Sequence, residues 1–501
     1  MNNEQLGRKI DSFISVVSPT WAARRAQSRE IYSAYEAAEI GRLRRDDRSI
    51  GSADYQVERG GRTMRELARH LDENHDITSG ALTSLVNNII GRAGISIEPT
   101  PRLLDGSIAD EFAGQIIDME REANKRVDVA GQFDRGQSER MMCLCFLRDG
   151  EIFQRNLCGF VPGLKHNSKL PYSIELIDAD WLDLSFYDEP RRIRQSIEFD
   201  QWGRPLNYWF YKYDPNSIRV LSRDRLAYDA NFIDHLKMIR RPNQARGVTV
   251  LASGMNRIRD LKDYEESERI SARIAAAMTG YIKKGSSDNY HPNKKDTKVP
   301  RDFQISPGMI FDNLAVGEDI GTINHNRPSP LLQSFRDSMI RAFAAGVGGS
   351  ASTIGRVYDK GSYSSQRQEN IEAFLNYSVV TSGFISTITM PSYQRRVTLG
   401  VGAGLLNPPV NLDWSTLLDA EYRGPVMPLI DPVHEANADL IQVQAGFKAI
   451  SQAIRDRGRN PREVFSQIRN ERENFANWKI QLPNIAEFSD PDAASTNISE
   501  V

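Results

Sequence analysis

The chain has 501 residues, 64 Lys plus Arg against 66 Asp plus Glu, and a formal net charge of −2. With 40% hydrophobic and 26% charged residues it has the proportions of a folded protein, which excludes collagen-like, low-complexity and largely disordered chains. The near-zero charge excludes a globally basic nucleic-acid binder, though not a polyanionic partner that touches one local surface, and the length predicts about two to four domains at roughly 100–200 residues each.

In chain order, Met1 to Ser18 lacks the continuous apolar core of a secretory signal. Trp21 to Ile40 has an Ala-rich helical pattern, and Arg42 to Gly61 is polar and turn-like, suited to an extended arm. A helix is expected from Met64, carrying Leu67 and Leu71. A second carries Ala81, Leu82, Leu85, Val86, Ile89 and Ile90 at helical spacing and stops at Gly91. Between Gly94 and Ile239 the period changes towards two: Ile95 to Glu98, Ser173 to Ile177 and Ile197 to Asp200 alternate like half-buried strands. Trp202 to Pro205 is a turn and Asn207 to Tyr213 an aromatic return strand, so an antiparallel hairpin is expected there, with a helical insert from Asp110 to Lys125 ahead of the sheet. The three cysteines cannot make a disulfide framework. Cys143 and Cys145 read as two thiols on one face of a buried strand, because no C-x2-C pair or nearby His completes a tetrahedral metal set.

Val248 to Lys284 keeps helical spacing and, if unbroken, would be roughly 55 Å long at 1.5 Å per residue. Residues 286–326 are polar and broken by Pro292, Pro300 and Pro307. A helix from Pro330 fails at Gly346, Gly348 and Gly349; a flexible loop, Ser350 to Tyr363, leads to a third long helix from Ser364. Within it, Ala373 to Gln394 is uncharged and long enough to span a bilayer, but its polar residues fall on every helical face, so a buried helix and no membrane anchor is expected. Gly400 to Gly404 and Pro408-Pro409 turn the chain. Asp431-Pro432 opens a helix with Ala436, Leu440, Val443, Phe447, Ile450 and Ile454 on one face, stopped at Gly458, and Asn460-Pro461 opens another. The residues from Gln481 on are acidic and read as a disordered tail. The pattern as a whole is α+β.

Catalytic signatures are missing. Around Gly355 to Ser362, Lys360 precedes Gly361, the wrong order for a phosphate-wrapping loop; G-x-S-x-G is absent, and His434-Glu435 lacks a second His four residues on. Asp178 and Asp180 would share one face of a strand as a metal-carboxylate pair, although Asp residues at strand edges more often serve turns or face solvent. The seven histidines do not cluster. This argues against an enzyme and implies no cofactor or metal. Two basic features remain: Lys283, Lys284, Lys294, Lys295, Lys298 and Arg301, and, in the loop after the second long helix, Arg356 and Lys360. Each reads either as solvated charge or as backbone contact with a polyanion.

Four strings in one order resemble the lambda-type family of tailed-bacteriophage portal (head-tail connector) proteins. Leu85 to Gly91 resembles the family's "LVNNVVG" helix end. Arg241 to Gly247, followed by Ile258 to Glu265, resembles its "RPGQ-RG" and "LRDLDDYE" segments. Tyr363-Ser364-Ser365 with Arg367 resembles "YSS-R". Asp431 to Leu440 with Arg457 to Pro461 resembles its C-terminal helices. Gly346 to Gly349 departs from the Val-Pro pair of many members. The resemblance implies a portal fold assembled as a cyclic ring, usually a dodecamer, at one capsid vertex of the virion, put together in the bacterial host cytoplasm. It implies an N-terminal arm (1–60), a wing (61–262), stem helices (263–284 and 328–347), a clip (285–327), a tunnel loop (348–363), a long helix returning to the wing (364–430), crown helices (431–480) and the acidic tail (481–501). Its implied partners are double-stranded DNA held non-specifically in the channel, the terminase large subunit, the major capsid or scaffold protein, and head-completion and tail adaptor proteins. On that map Arg356, Tyr358, Lys360 and Ser362 face DNA, and Lys294, Lys295, Lys298 and Arg301 dock the motor. The competing readings are a capsid adaptor without a DNA channel and a DNA-processing enzyme.

Overall fold

The computed structural model describes residues 51–217, 224–277, 281–284, 318–321, 332–358, 362–427 and 432–478. The expected helix in Trp21 to Ile40, most of the 285–327 segment and the acidic tail lie outside the described residues. All elements below belong to the unit that begins at Ala53.

Helix α1 (Ala53–Asn74) starts eleven residues before the expected Met64, inside the segment read as a turn-like arm. Val57, Gly61, Arg65, Ala68 and Leu71 form its buried face at three- and four-residue spacing, and two of these precede Met64. Helix α2 (Asp76–Ile89) buries Ala81, Leu82, Leu85, Val86 and Ile89, as its periodicity implies. After strand β1 (Ser96–Pro99) come helices α3 (Asp110–Ala123) and α4 (Arg135–Asp149). The second of these corrects the expectation of a strand at Cys143 and Cys145: both thiols are buried, but on a helix. Asp134 and Gln137 close a capping box at its start, and Gly150, at φ 91°, ends it in the left-handed region.

Strands β2 (Glu151–Cys158), β3 (Tyr172–Ile177), β4 (Ile193–Arg194), β5 (Ile197–Phe199), β6 (Pro205–Tyr211), β7 (Arg225–Asp229) and β8 (Ile233–Lys237) make two antiparallel sheets, ordered β3-β2-β8 and β4-β5-β6-β7. The expected hairpin is β5-β6, with Ile197 opposite Tyr208. Phe153, Ile177, Ile197, Tyr208, Phe210 and Ile233 share one core between the sheets, Phe153 meeting Phe210 edge-on at 5.3 Å.

The tract expected as one 37-residue helix is three elements: a 3₁₀ turn at Val250–Ser253, helix α5 (Met255–Ala277) and strand β9 (Tyr281–Lys284). Gly254 ends the 3₁₀ turn, and its missing side chain leaves room for the Phe343 ring, which would lie 2.6 Å from a Cβ there. Strand β9 pairs antiparallel with β10 (Glu318–Gly321), setting Lys284 opposite Glu318 and Lys283 opposite Asp319 in register. Helix α6 (Leu332–Val347) returns along α5, joined by Tyr264 against Phe335 at 4.9 Å and by Arg336 to Glu265 at 2.8 Å.

Helix α7 (Ala351–Gly355) lies in the first part of the segment that reads as a flexible loop, of which residues 359–361 lie outside the described residues. Helix α8 (Tyr363–Phe384), a π turn (Ile385–Thr389) and helix α9 (Met390–Gly402) carry the uncharged tract. The expected single buried helix is thus interrupted next to Pro391, which has no N–H to give, and one of its faces is open, with Leu375 61% and Val379 73% exposed. Strand β11 (Ala420–Arg423) pairs with β1, joining segments more than 300 residues apart in the chain beside a core of Phe112, Ile116, Tyr393 and Val397. The helix expected from Asp431 to Gly458 is divided into α10 (Pro432–Gln444) and α11 (Ile450–Asp456), with Gly446 at φ 75° between them. Helix α12 (Pro461–Trp478) follows Asn460, whose carbonyl Oδ1 accepts from the Arg462 amide at 3.0 Å.

Candidate functional site

Two polar clusters lie at the strings singled out in the sequence. The first is the start of β2, where the Glu151 side chain is wholly buried. Its carboxylate accepts from Arg246 Nε at 2.8 and 3.0 Å, from Arg65 Nη2 at 3.3 Å, from His235 Nε2 at 3.0 Å and from the Gly247 amide at 2.9 Å. Arg246 also donates to the carbonyls of Leu182 and Ala179 at 3.1 and 2.8 Å. Burial alone would raise the Glu151 carboxyl and lower His235. Beside Arg246, His235 and Arg65 the carboxyl is instead held far below its usual range. Burial dominates at the imidazole, which falls to about 4 despite its bond to Glu151.

The Arg241 to Gly247 string is therefore the clamp that closes this node. Gln244 accepts from the Arg240 amide at 3.1 Å and donates to the Arg246 carbonyl at 2.8 Å, shaping the turn. Gly247 must be glycine, because a Cβ there would sit 2.0 Å from the Gly150 carbonyl oxygen. Nearby, Asp178 and Asp180 do not form a carboxylate pair open to a metal. Arg69 donates to Asp178 at 2.7 Å and to Asp180 at 2.5 Å, and Arg65 donates to Asp180. Asp178 also caps the Ala179–Trp181 turn, accepting from the Asp180 amide at 3.0 Å.

The second place is the turn between α6 and α8. Gly348, at φ 73°, reverses the chain after α6, and Gly349 leaves room for Ile354, whose Cδ1 would lie 2.7 Å from a Cβ there. Buried Ser350 caps α7, accepting from the Thr353 amide at 3.2 Å, and donates its hydroxyl to Glu369 of α8 at 2.9 Å. The same Glu369 oxygen accepts from the Ser352 amide at 3.0 Å, while the Tyr377 hydroxyl accepts from the Ser350 amide at 3.4 Å. Burial nudges the Glu369 carboxyl upward, but the Ser352 amide and Ser350 hydroxyl hold it below its ordinary value. At the other end of α7, Gln366 donates to the Tyr358 carbonyl at 2.7 Å. A cleft of about 310 Å³ lies between these elements, lined in part by Arg341, Ser352, Gln366 and Glu369.

Of the residues singled out in sequence, Arg356 is exposed at the end of α7 with φ 54° and ψ 34°, and Tyr358 is 54% exposed. The Ser362 hydroxyl is engaged locally: it caps α8, accepting from the Ser365 amide at 3.3 Å. Lys360, Lys294, Lys295, Lys298 and Arg301 lie outside the described residues. Sequence reasoning missed Glu369, Gln366 and Tyr377. No local signature marks them, since Glu369 caps a helix that starts far upstream of it in the chain. Among the described residues, no helix is long and apolar enough to cross a membrane.

The family model described as phage portal protein, lambda family, matches residues 40–380, more than half of the chain. A relative, the probable portal protein of Halomonas phage phiHAP-1, is 23% identical over 455 residues, covering 87% of this chain and 84% of that protein. Among solved structures, a chain from the neck of a native gene transfer agent particle, computed with C12 symmetry, is 13% identical, with a TM-score of 0.43 over 79% of this chain and 92% of that one. A chain from the neck of the empty particle, computed with C6 symmetry, is 13% identical, with a TM-score of 0.47 over 81% and 94%.

Proposed function

Because this chain belongs to the lambda family of phage portal proteins, we propose that its copies close into a ring at one capsid vertex, through which DNA enters during packaging and leaves during ejection. A head-to-tail contact whose rotation closes gives such a ring. In this reading residues 61–262 form the wing, residues 263–284 and 328–347 the stem, the segment between them (285–327) the clip that meets the terminase and later the head-completion and tail proteins, residues 348–363 the tunnel loop, and residues 431–480 the crown. The chain is a structural conduit, with no catalytic step of its own.

The observation that carries the reading furthest is the α6-α7-α8 turn, which sets Arg356 and Tyr358 outward on a backbone fixed by Ser350 and Glu369. A conduit must let DNA slide, so a few contacts to phosphate, which carry no sequence information, suit it better than a dense basic surface. The net charge of −2 agrees with that need.

The first test is the native mass of the purified particle together with negative-stain images. A homogeneous ring of about a dozen chains with an axial hole wide enough for duplex DNA is the expected result. A ring with no such hole would favour a capsid adaptor without a channel. Neutralising Arg356 and Lys360 together should lower packaged or retained DNA while the ring still forms. A variant ring that fails to assemble would instead assign those residues to subunit contact.

A further inference from the structure

We propose that Glu369 is the positioning residue of the DNA-facing turn: by holding the start of α7 to α8 it fixes where Arg356 is presented, so that the segment acts as a rigid arm of α8 and not as a loop that moves by itself. This rests on the reading above that Arg356 meets DNA.

The turn is attached at three points. Ile354 is buried and packs against Ile340 and Leu85 in the main helical core. Glu369 receives the Ser350 hydroxyl and the Ser352 amide, so one carboxylate serves both the capping residue of α7 and one of the orphan amides at its first turn. Gln366, one turn earlier on α8, receives nothing from α7 but donates to the Tyr358 carbonyl beyond it. Arg356 lies between the Glu369 and Gln366 attachments, its amide bonded to the Ser352 carbonyl. Its conformation is left-handed, where a helix end ordinarily carries glycine, and a non-glycine residue persists there only when its surroundings over-determine it. Ile354 supplies apolar burial with no preferred direction. The hydrogen bonds to Glu369 are directional, and they are what defines the orientation of α7 on α8.

The test uses assembled particles carrying Glu369→Ala, Glu369→Gln, Arg356→Ala and the Glu369→Ala/Arg356→Ala pair. Trypsin cleavage after Arg356 reads the clamp directly, because cutting follows the population in which the segment has opened. Glu369→Ala should raise that cleavage about tenfold, equivalent to about 1.4 kcal/mol, with Glu369→Gln between it and the parent. Cleavage unchanged in Glu369→Ala overturns the proposal; if that variant does not assemble, Glu369→Gln decides by the same criterion. DNA retained per particle then tests whether Glu369 acts through Arg356. A loss in Glu369→Ala that adds nothing to that of Arg356→Ala supports it, and fully additive losses overturn it. If Arg356→Ala retains DNA normally, the DNA-contact reading fails, and the cleavage result alone accepts or rejects the clamp.

Discussion

Glu151 and Glu369 are both carboxylates that hold distant parts of the chain together, but they do it in opposite surroundings. Glu151 is wholly buried, receives donors from residues 65, 235, 246 and 247, and faces the guanidinium groups of both Arg65 and Arg246. Glu369 is half-buried, and the donors it receives are a hydroxyl and an amide. A buried charge without its counter-charges is costly, so the first node is all-or-none and belongs to folding. The second loses only local hydrogen bonds when removed, so the turn it holds can loosen while the fold survives. The two nodes therefore differ in kind: one belongs to a body that does not yield, the other is a separately tuned fixing point for one turn.

The sharpest way to break the comparison is Arg246→Ala. It strips Glu151 of its closest partner and opens the carbonyls of Leu182 and Ala179, and should cost about 3–5 kcal/mol. Measured as a denaturant midpoint or as loss of soluble protein, that effect should exceed any single change around Glu369. Acid should reach the same node. The folded His235 titrates at about 4, below the unfolded value near 6.5, so the unfolded state binds more protons between these pH values. The stability this group contributes is complete above about pH 6.5 and falls as the pH drops towards 4, by on the order of 3 kcal/mol. His235→Gln should flatten that part of the stability-versus-pH curve, with Lys237, Arg246 and Glu151 the charged neighbours that remain. Equal acid sensitivity in parent and variant would show that the node is not where protons are taken up. Gly247→Ala, which would push a methyl group against the Gly150 carbonyl, should cost about 1–3 kcal/mol by overpacking and weaken the Gly247 amide bond to Glu151.

How much of this was legible in sequence depends on the range over which each feature is encoded. Helix α2, the β5-β6 hairpin and α12 are written in local periodicity and caps. Helix α4 is ambiguous in sequence because Met141 to Leu147 is a continuous apolar run, which fits a buried strand or a buried helix equally. The deciding marks were beside it, in Asp134 with Gln137 and in Gly150. The 248–284 tract keeps a helical period through Gly254, where the chain leaves the helix beside Phe343 of another helix, a neighbour the local pattern does not encode. The Arg241 to Gly247 string was legible as a family mark but not as a clamp, since its partners Glu151 and Arg65 lie far away in the chain. In the α6-α7-α8 turn, the sequence singles out Arg356 and Tyr358 but within a segment that reads as a flexible loop. The order there comes from Glu369 and Gln366, on the next helix, and no spacing announces a cap delivered from outside the capped helix.

The smallest expected effect separates the two kinds of site most cleanly. Arg356 adopts a conformation in which glycine is unpenalised and a side chain costs about 1 kcal/mol. Arg356→Gly should therefore leave the ring intact and raise the thermal stability of the α6-α7-α8 region slightly, by at most about 1 kcal/mol, because relief of strain is partly offset by the greater freedom of glycine in the unfolded chain. Retained DNA should fall at the same time, since the exposed guanidinium is gone. A gain in stability paired with a loss of retention marks a residue kept for what it touches, whereas Arg246 is kept for what it holds together and loses both when changed. If Arg356→Gly lowers stability instead, the side chain packs against a neighbouring subunit, and the turn belongs with the Glu151 node as part of the rigid body.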